Sequence, residues 1–563
     1  MRLALVPVNV KVGDFAANVK THLHEIEKAV KLGAELVVFP ELSLIGYSPQ
    51  DLLLRPDFPA RAEAQLKEFE SSVAKQFPNI AVIVGAALPL PVANATGPTL
   101  KSLANCAVFL QGGRKEIRIK TLLPFYDVFM ESRYFEPAPS FGPEYSGPIE
   151  CNGKKLGIVI CEDSWTEQTL LDRKIHNHNP SAKLKEQGSE VLINISASPF
   201  DAKKKPARRQ TIIDAARAVG LPIAYVNHFG AQDEIIFDGD AFLYDGAGEL
   251  LANKQELNGE ILLIDLDRTK PITEKKIANL ELQSLEAALV LGLRDYAKKN
   301  GFSRFVLGLS GGIDSALVAC LAVRALGPEN VFGIAMPSKF SSSHSIEDAE
   351  ELAANLKIKL FHVPIKMPHS TVQMGLKSAF PDGLQGLTDE NLQSRLRGIT
   401  VMAFANQLEA LALATGNKSE LAMGYSTLYG DLCGAVAPIG DLYKRDVYAL
   451  ASFINQARHL IPERTITKAP SAELRPNQVD QDSLPPYPLL DAALELLIEQ
   501  ELSPAATLTK LAREFPNLDL TLLESIERKI RFSEYKRSQA PVVLKVSAKA
   551  FGSGRRYPIT SFF

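Results

Sequence analysis

Apolar positions along the chain follow two rhythms. Residues 2–8 alternate in a strand-like way. Val19, Leu23, Ile26 and Val30 then recur at spacings of four, three and four, the stripe of an amphipathic helix that Gly33 is placed to end. Short apolar runs follow at 36–39, 80–87, 106–111, 156–160, 190–195, 223–226, 241–244 and 261–265, each of strand length. Strands and helices alternate, which predicts a layered α/β domain over 1–268. Residues 269–285 (TKPITEKKIANLELQSL) are polar, carry a proline and repeat no earlier pattern, so they read as a linker. From 286 to 360 helix and strand alternate again, which makes 286–563 a second domain. The proline-rich polar stretch 462–490 reads either as an ordered loop or lid, or as plain surface loop.

The sharpest local pattern lies in the second half. Residues 305–309 are an apolar strand, Ser310, Gly311 and Gly312 make a tight turn, and 316–326 (ALVACLAVRAL) is a buried helix. A strand, a glycine turn and a helix N-terminus make an anion site, because free backbone N–H groups and the helix dipole both favour negative charge. The plainer reading is an ordinary strand-to-helix turn. No GxxxxGK[ST] follows a strand, so this is not a Walker loop. SGGIDS with this apolar flanking resembles the pyrophosphate loop of the ATP pyrophosphatases, which have a Rossmann-like parallel sheet. The resemblance implies that Gly308, Leu309, Ser310, Gly311, Gly312, Ile313, Asp314 and Ser315 hold the triphosphate of ATP. It also implies that Asp314 helps hold Mg²⁺.

Composition narrows the class. With 563 residues the chain is too long for one ordinary core. Apolar residues make up 46% and charged ones 23%, as in soluble globular proteins. A net charge of −3 offers nothing to a nucleic-acid backbone or an anionic membrane. The start, MRLALVPVNVKVGDF, lacks a small-residue cleavage site and reads as a first strand. No apolar stretch is long enough to span a membrane. The five cysteines are scattered and form no CxxC pair, which fits a reducing cytoplasm.

Three segments of the first half combine into a chemical set: FPELSLIGY around Glu41, KTLLPFY from Lys120 to Tyr126 with ESRYF after it, and LGIVICEDSW around Cys161. Singly, a cysteine at a strand end is core packing and a lone Lys or Glu is a surface charge. Together, a carboxylate can take the thiol proton, and a fixed lysine can stabilise the oxyanion formed on attack at a carbonyl. The segments resemble the nitrilase superfamily over residues 1–265, which implies an αββα sandwich. On that resemblance Glu41 is the general base, Lys120 stabilises the oxyanion and Cys161 forms a thioester during amide hydrolysis. Tyr126 and Ser198, with Lys204 and Arg208 downstream, fall where relatives bind the amide donor, glutamine. The basic run 203–205 also reads as a solvated loop. A motif GGQDE is usual in relatives, where this chain has Gly230-Ala231 before Gln232.

Downstream of the glycine loop come a serine-rich loop and a Ser-capped helix (336–349), then ENLQSRLRG, whose Arg395 and Arg397 cannot share a helical face. One of the two is free to reach a ligand while the other pairs elsewhere. ATGNKSE over 414–420 reads as a strand ending in a Thr-Gly turn, with Glu420 close behind. This succession looks like the NAD synthetases over 285–563. Joined to a nitrilase-type front half, the chain is similar to the glutamine-dependent NAD synthetases over essentially its whole length. That resemblance implies that Thr415 and Lys444 meet ATP, that Asn391, Glu420 and Lys536 meet the deamidated dinucleotide, and that Asp314 and Glu420 are the magnesium carboxylates. It implies small-molecule substrates, a homo-oligomer, and ammonia made from glutamine for an adenylated carboxylate; because free ammonia at neutral pH is mostly ammonium, which is not nucleophilic, a shielded path between the two is expected. The nearest rival is an amidotransferase of the same class with another acceptor; a rival of another class is a non-catalytic scaffold.

Overall fold

A computed structural model describes residues 1–92, 102–165, 169–170, 173–174, 176–203, 205–254, 257–273 and 279–561. The chain folds as two units, Met1–Ala278 and Asn279–Phe563.

The first unit is built on two six-stranded sheets. One runs in the order Leu262–Asp265, Arg2–Leu5, Leu36–Val38, Ala81–Pro89, Leu103–Gln111, Arg114–Ile119. The other runs Leu250–Asn253, Ala241–Tyr244, Ile223–Asn227, Val191–Ser196, Lys154–Ile160, Ile149–Cys151. The central pairings of both sheets are parallel and the outer ones antiparallel. Such strands are covered on both faces, so they read as continuous apolar runs and not as alternation. Inner faces meet through Leu3, Leu36, Ile83 and Phe109 on one side and Ile158, Ile160, Ile193 and Val226 on the other. The outward residues Val37, Val82 and Val84 pack with Val19, Ile26, Leu66 and Phe69 from the helices Phe15–Lys31 and Asp57–Gln76. Ile212 and Ala216 of the helix Lys205–Val219 cover Val159, Leu192 and Ile223 of the second sheet. The layers are therefore helices, sheet, sheet, helices, the αββα sandwich the sequence led us to expect. One detail of the first helix differs: Val30 of the predicted stripe is 40% exposed, and Ala29 is buried in its place.

The second unit carries a four-stranded parallel sheet in the order Lys359–His362, Val331–Ala335, Phe305–Gly308, Leu411–Ala412. The chain builds outward from Phe305–Gly308 on one side, then returns to add Leu411–Ala412 on the other. That reversal leaves a crevice at the carboxyl end of Phe305–Gly308, the usual ligand position in open parallel sheets. The helix Leu280–Lys299 begins before residue 285, so the polar stretch read as linker already contains its first turn. A helical cluster around Leu490, Leu494, Leu523 and Ile526 forms a second core in this unit. No helix among the described residues is long and apolar enough to cross a membrane.

Candidate functional site

In the first unit, strand ends deliver the chemical groups. Glu41 follows Leu36–Val38 in a turn where Leu42 has φ +49°. That turn lies on Gly85, where a Cβ would fall 2.2 Å from the Leu42 nitrogen and 2.3 Å from the Pro40 carbonyl oxygen. Lys120 directly follows Arg114–Ile119, and Cys161 directly follows Lys154–Ile160. Cys161 takes a left-handed backbone, φ +47°, and is 5% exposed. A non-glycine residue held in that region at a strand-to-turn corner is a common feature of reactive positions.

Lys120 is fully buried. Its Nζ donates to Glu41 Oε1 at 2.7 Å and to Glu131 Oε1 at 2.9 Å. Asn105 Nδ2 donates to Glu41 at 2.7 Å and to Glu131 at 3.3 Å, and the Ala197 N–H donates to Glu41 Oε2 at 3.1 Å. Tyr47 O–H donates to Glu131 at 3.1 Å. Burial would lower the lysine, but Glu131 and Glu41 overcome it and hold the ammonium well above its ordinary range. Burial pushes the Glu131 carboxyl up to about 7, with Lys120 pulling against it and Glu41 adding to it. Burial also raises the Cys161 thiol, and Glu41 adds to that, while Lys120 opposes. The resting state is thus a thiol beside a lysine held as its ammonium, with the Glu41 carboxyl group at hand for the thiol proton.

Tyr126 O–H donates to Glu162 Oε2 at 2.7 Å, and His176 Nε2 lies 2.8 Å from Glu162 Oε1, so Tyr126 stands beside the nucleophile's neighbour. Ser198 is buried and exchanges backbone bonds with Asn227: its N–H donates to Oδ1 and its carbonyl accepts from Nδ2, both at 2.8 Å. Arg208 donates to Asp238 and to the Pro199 carbonyl. It braces the Ser198 loop from within the fold. Lys204 lies outside the described residues.

In the second unit the loop after Phe305–Gly308 forms the expected turn. Gly311 has φ +73°, and a Cβ on it would meet the Ser345 carbonyl oxygen at 2.2 Å. Gly312 caps the helix Ile313–Leu326. Ser310 Oγ accepts from the Gly312 N–H at 3.2 Å, and the Ser315 hydroxyl accepts from the Ser310 N–H at 3.3 Å. A cavity of about 320 Å³ opens there, lined by most of this loop with Thr415, Glu420, Lys444 and Arg397. Lys444 Nζ donates to Asp314 Oδ2 at 2.6 Å and lies 3.5 Å from Glu420 Oε1. Burial, then the nearby Asp314 carboxylate, pushes the Glu420 carboxyl up to about 8, against the pull of Lys444. Two carboxyl groups on one cavity wall are oxygen donors of the kind that fit magnesium, which takes one or two carboxylates and completes its shell with phosphate oxygens and water. Among the described residues no group of three or more His, Cys, Asp or Glu could hold a metal alone.

Asn391 and Lys536 do not line that cavity. Asn391 Oδ1 accepts from Thr427 Oγ1 at 2.8 Å, and Lys536 Nζ donates to the Gly424 and Ser426 carbonyls, both at 2.7 Å. Both hold the segment 424–427, whose Tyr425 does line it. Of the two arginines, Arg397 reaches the cavity and donates to the Met336 carbonyl, while Arg395 donates to the Leu428 carbonyl. The stretch 462–490 is only partly loop: it holds the short helix Glu463–Thr467, a turn of helix at Asp480–Asp482 and the start of the helix Tyr487–Leu494, and it is tied down where Lys468 and Arg464 meet Asp348 and where Glu473 accepts from Ser342 and Ser345. Four residues that the sequence left unassigned shape these sites: Asn105, Glu131, Asp163 and Asn417. Only Asn417 carried a local signal, the N-x-x-E pattern of a capping box, which it forms with Glu420.

Comparison with known proteins follows the same division. Residues 2–272 match the carbon-nitrogen hydrolase family and residues 285–540 the NAD synthase family. A glutamine-dependent NAD(+) synthetase of Synechocystis sp. is 41% identical over 100% of this chain and 99% of its own. One from Thermotoga maritima is 37% identical over 100% and 99%. Among solved structures, a glutamine-dependent NAD+ synthetase from Acinetobacter baumannii in complex with adenosine diphosphate is 32% identical. It covers 99% of this chain and 98% of its own, with a TM-score of 0.74. One from Cytophaga hutchinsonii, 22% identical, shares the fold with a TM-score of 0.81 over 100% and 98%. Full-length identity at this level shows the family: the chain belongs to the glutamine-dependent NAD(+) synthetases.

Proposed function

We propose that the protein makes NAD⁺ from deamido-NAD⁺, ATP and glutamine, releasing glutamate, AMP and pyrophosphate. In the first unit Glu41 takes the proton of the Cys161 thiol as sulfur attacks the glutamine carboxamide carbon. Lys120 stabilises the oxyanion, ammonia leaves with the proton returned by Glu41, and water then hydrolyses the thioester. Tyr126, Ser198 and Lys204 seat glutamine in this reading, which for all three rests on family resemblance.

In the second unit a nicotinate carboxylate oxygen attacks the α-phosphorus of ATP, and pyrophosphate departs onto the N–H groups of 308–315. The acid, a poor electrophile as an anion, becomes a mixed anhydride that ammonia attacks to give the amide and AMP. Lys444 and Thr415 contact ATP, and Asn391, Glu420 and Lys536 serve the dinucleotide, Asn391 and Lys536 by shaping 424–427. Asp314 and Glu420 would hold Mg²⁺, which when bound neutralises phosphate charge. The substrates are small molecules, and the net charge of −3 gives nucleic acid no foothold. We carry from family resemblance a homo-oligomer, and from the unpaired cysteines a cytoplasmic setting.

The observation that carries this reading is the Lys120 ammonium clasped between Glu41 and Glu131 beside Cys161. Its test is NAD⁺ formation with glutamine against ammonium, with AMP and glutamate followed together. Glutamate release without any AMP, when deamido-NAD⁺ and ATP are supplied, would sink the assignment of the second unit.

A further inference from the structure

Lys120 and Cys161 stand on different sheets: one follows a strand of the first sheet and the other a strand of the second. Between the sheets lie apolar side chains. Burial of that kind is non-directional and sets no register, whereas a hydrogen bond fixes distance and angle. Asp163 supplies hydrogen bonds across this gap. It is 3% exposed. Its Oδ2 accepts from the N–H of Ile160, the residue before Cys161, at 3.0 Å. Its Oδ1 accepts from the N–H groups of Thr121 and Leu122, the residues after Lys120, at 3.0 and 2.8 Å.

We propose that Asp163 is a positioning residue for glutamine hydrolysis, a carboxylate clamp that registers the lysine end of one sheet against the cysteine corner of the other. This rests on the reading of the first unit given above. The chemistry asks for a carboxylate. Three N–H donors converge on two oxygens, and an ionised Asp accepts at both. Asparagine keeps one oxygen and turns an amide donor toward the remaining N–H groups. The left-handed backbone of Cys161 raises the stakes, since such a corner persists only where its surroundings over-determine it. Burial pushes the Asp163 carboxyl up to about 6, against the pull of its three backbone donors and Lys120, so the clamp is made at a cost in solvation.

The test compares the full chain with Asp163→Asn. Because a displacement of about 1 Å can cost about 100-fold in rate, kcat for glutamate release is expected to fall by roughly that factor. KM for glutamine stays within about threefold, since seating residues are untouched. Alkylation of Cys161 by iodoacetamide slows in parallel, and NAD⁺ formation from ammonium is unchanged. A kcat near the wild-type value, or a loss carried wholly by KM, overturns the clamp. Should Asp163→Asn not accumulate as a folded chain, Asp163→Glu is read in the same way: it keeps both oxygens but shifts them by a methylene. A wild-type chain that releases no glutamate would instead overturn the reading of the first unit, which is a separate failure.

Discussion

The side-chain amide of Asn417 donates to Asp314 Oδ1 at 2.9 Å while its backbone N–H donates to Glu420 Oε2 at 3.2 Å. One buried residue thereby aims both carboxylates that flank Lys444. Asn417→Ala removes the first bond and the cap of the helix Lys418–Met423. Loss of such an orienting partner typically costs 10- to 100-fold, so NAD⁺ formation should fall by about that much from glutamine and ammonium alike. Glutamate release should persist. Steady-state rates with each nitrogen source measure this; a deficit confined to glutamine would contradict it.

Cys161→Ala separates the two chemistries. The variant should release no glutamate and make no NAD⁺ from glutamine, yet keep its rate with an ammonium salt. Loss of both activities would show that Cys161 serves the fold and not the reaction.

Glu131 makes a prediction about pH. Its carboxyl titrates near 7 in the folded chain against a reference value of 4.5. Between those values the native state holds a proton that the unfolded chain has released, so this group's contribution is present in acid and lost as pH rises through about 7. Glu131→Gln cannot titrate. The melting temperature of wild type relative to Glu131→Gln should therefore decline from pH 5 to pH 8. A flat or rising difference would mean that Glu131 is ionised throughout. The same variant, stripped of one anion beside Lys120, should also hydrolyse glutamine more slowly.

Gly311→Ala places a methyl carbon against the Ser345 carbonyl and forces a left-handed alanine. Strain of this kind costs of order 1–3 kcal/mol where the surroundings cannot yield. The loop must shift, so KM for ATP should rise with both nitrogen sources while glutamate release is unaffected. An unchanged KM for ATP would show that the loop does not contact the nucleotide.

The alternation of strand and helix was enough to read both α/β halves, because strands covered on both faces leave long apolar runs in the sequence. Glu41, Cys161 and the glycine loop were legible because each directly follows such a run, where parallel strands present side chains to a crevice. Asn105 was not: it sits inside a strand that is apolar but for it and the terminal Gln111, just ahead of the run read from residue 106. Glu131 was quoted with its motif but given no task, since only the fold brings it to Lys120. Asp163 was quoted with the cysteine motif but given no task, because its partners are backbone N–H groups, which every non-proline residue possesses. Val30 misled in the opposite direction, apolar at the right spacing yet turned to solvent.

Lys120 finds its anions at 41 and 131, and Lys444 finds its own at 314 and 420, each pair inside one unit. Heritable variation that retunes how the amide donor is cleaved can thus accumulate without disturbing the nucleotide chemistry, and the converse holds. A substitution in either cluster therefore leaves the ion pairs of the other intact.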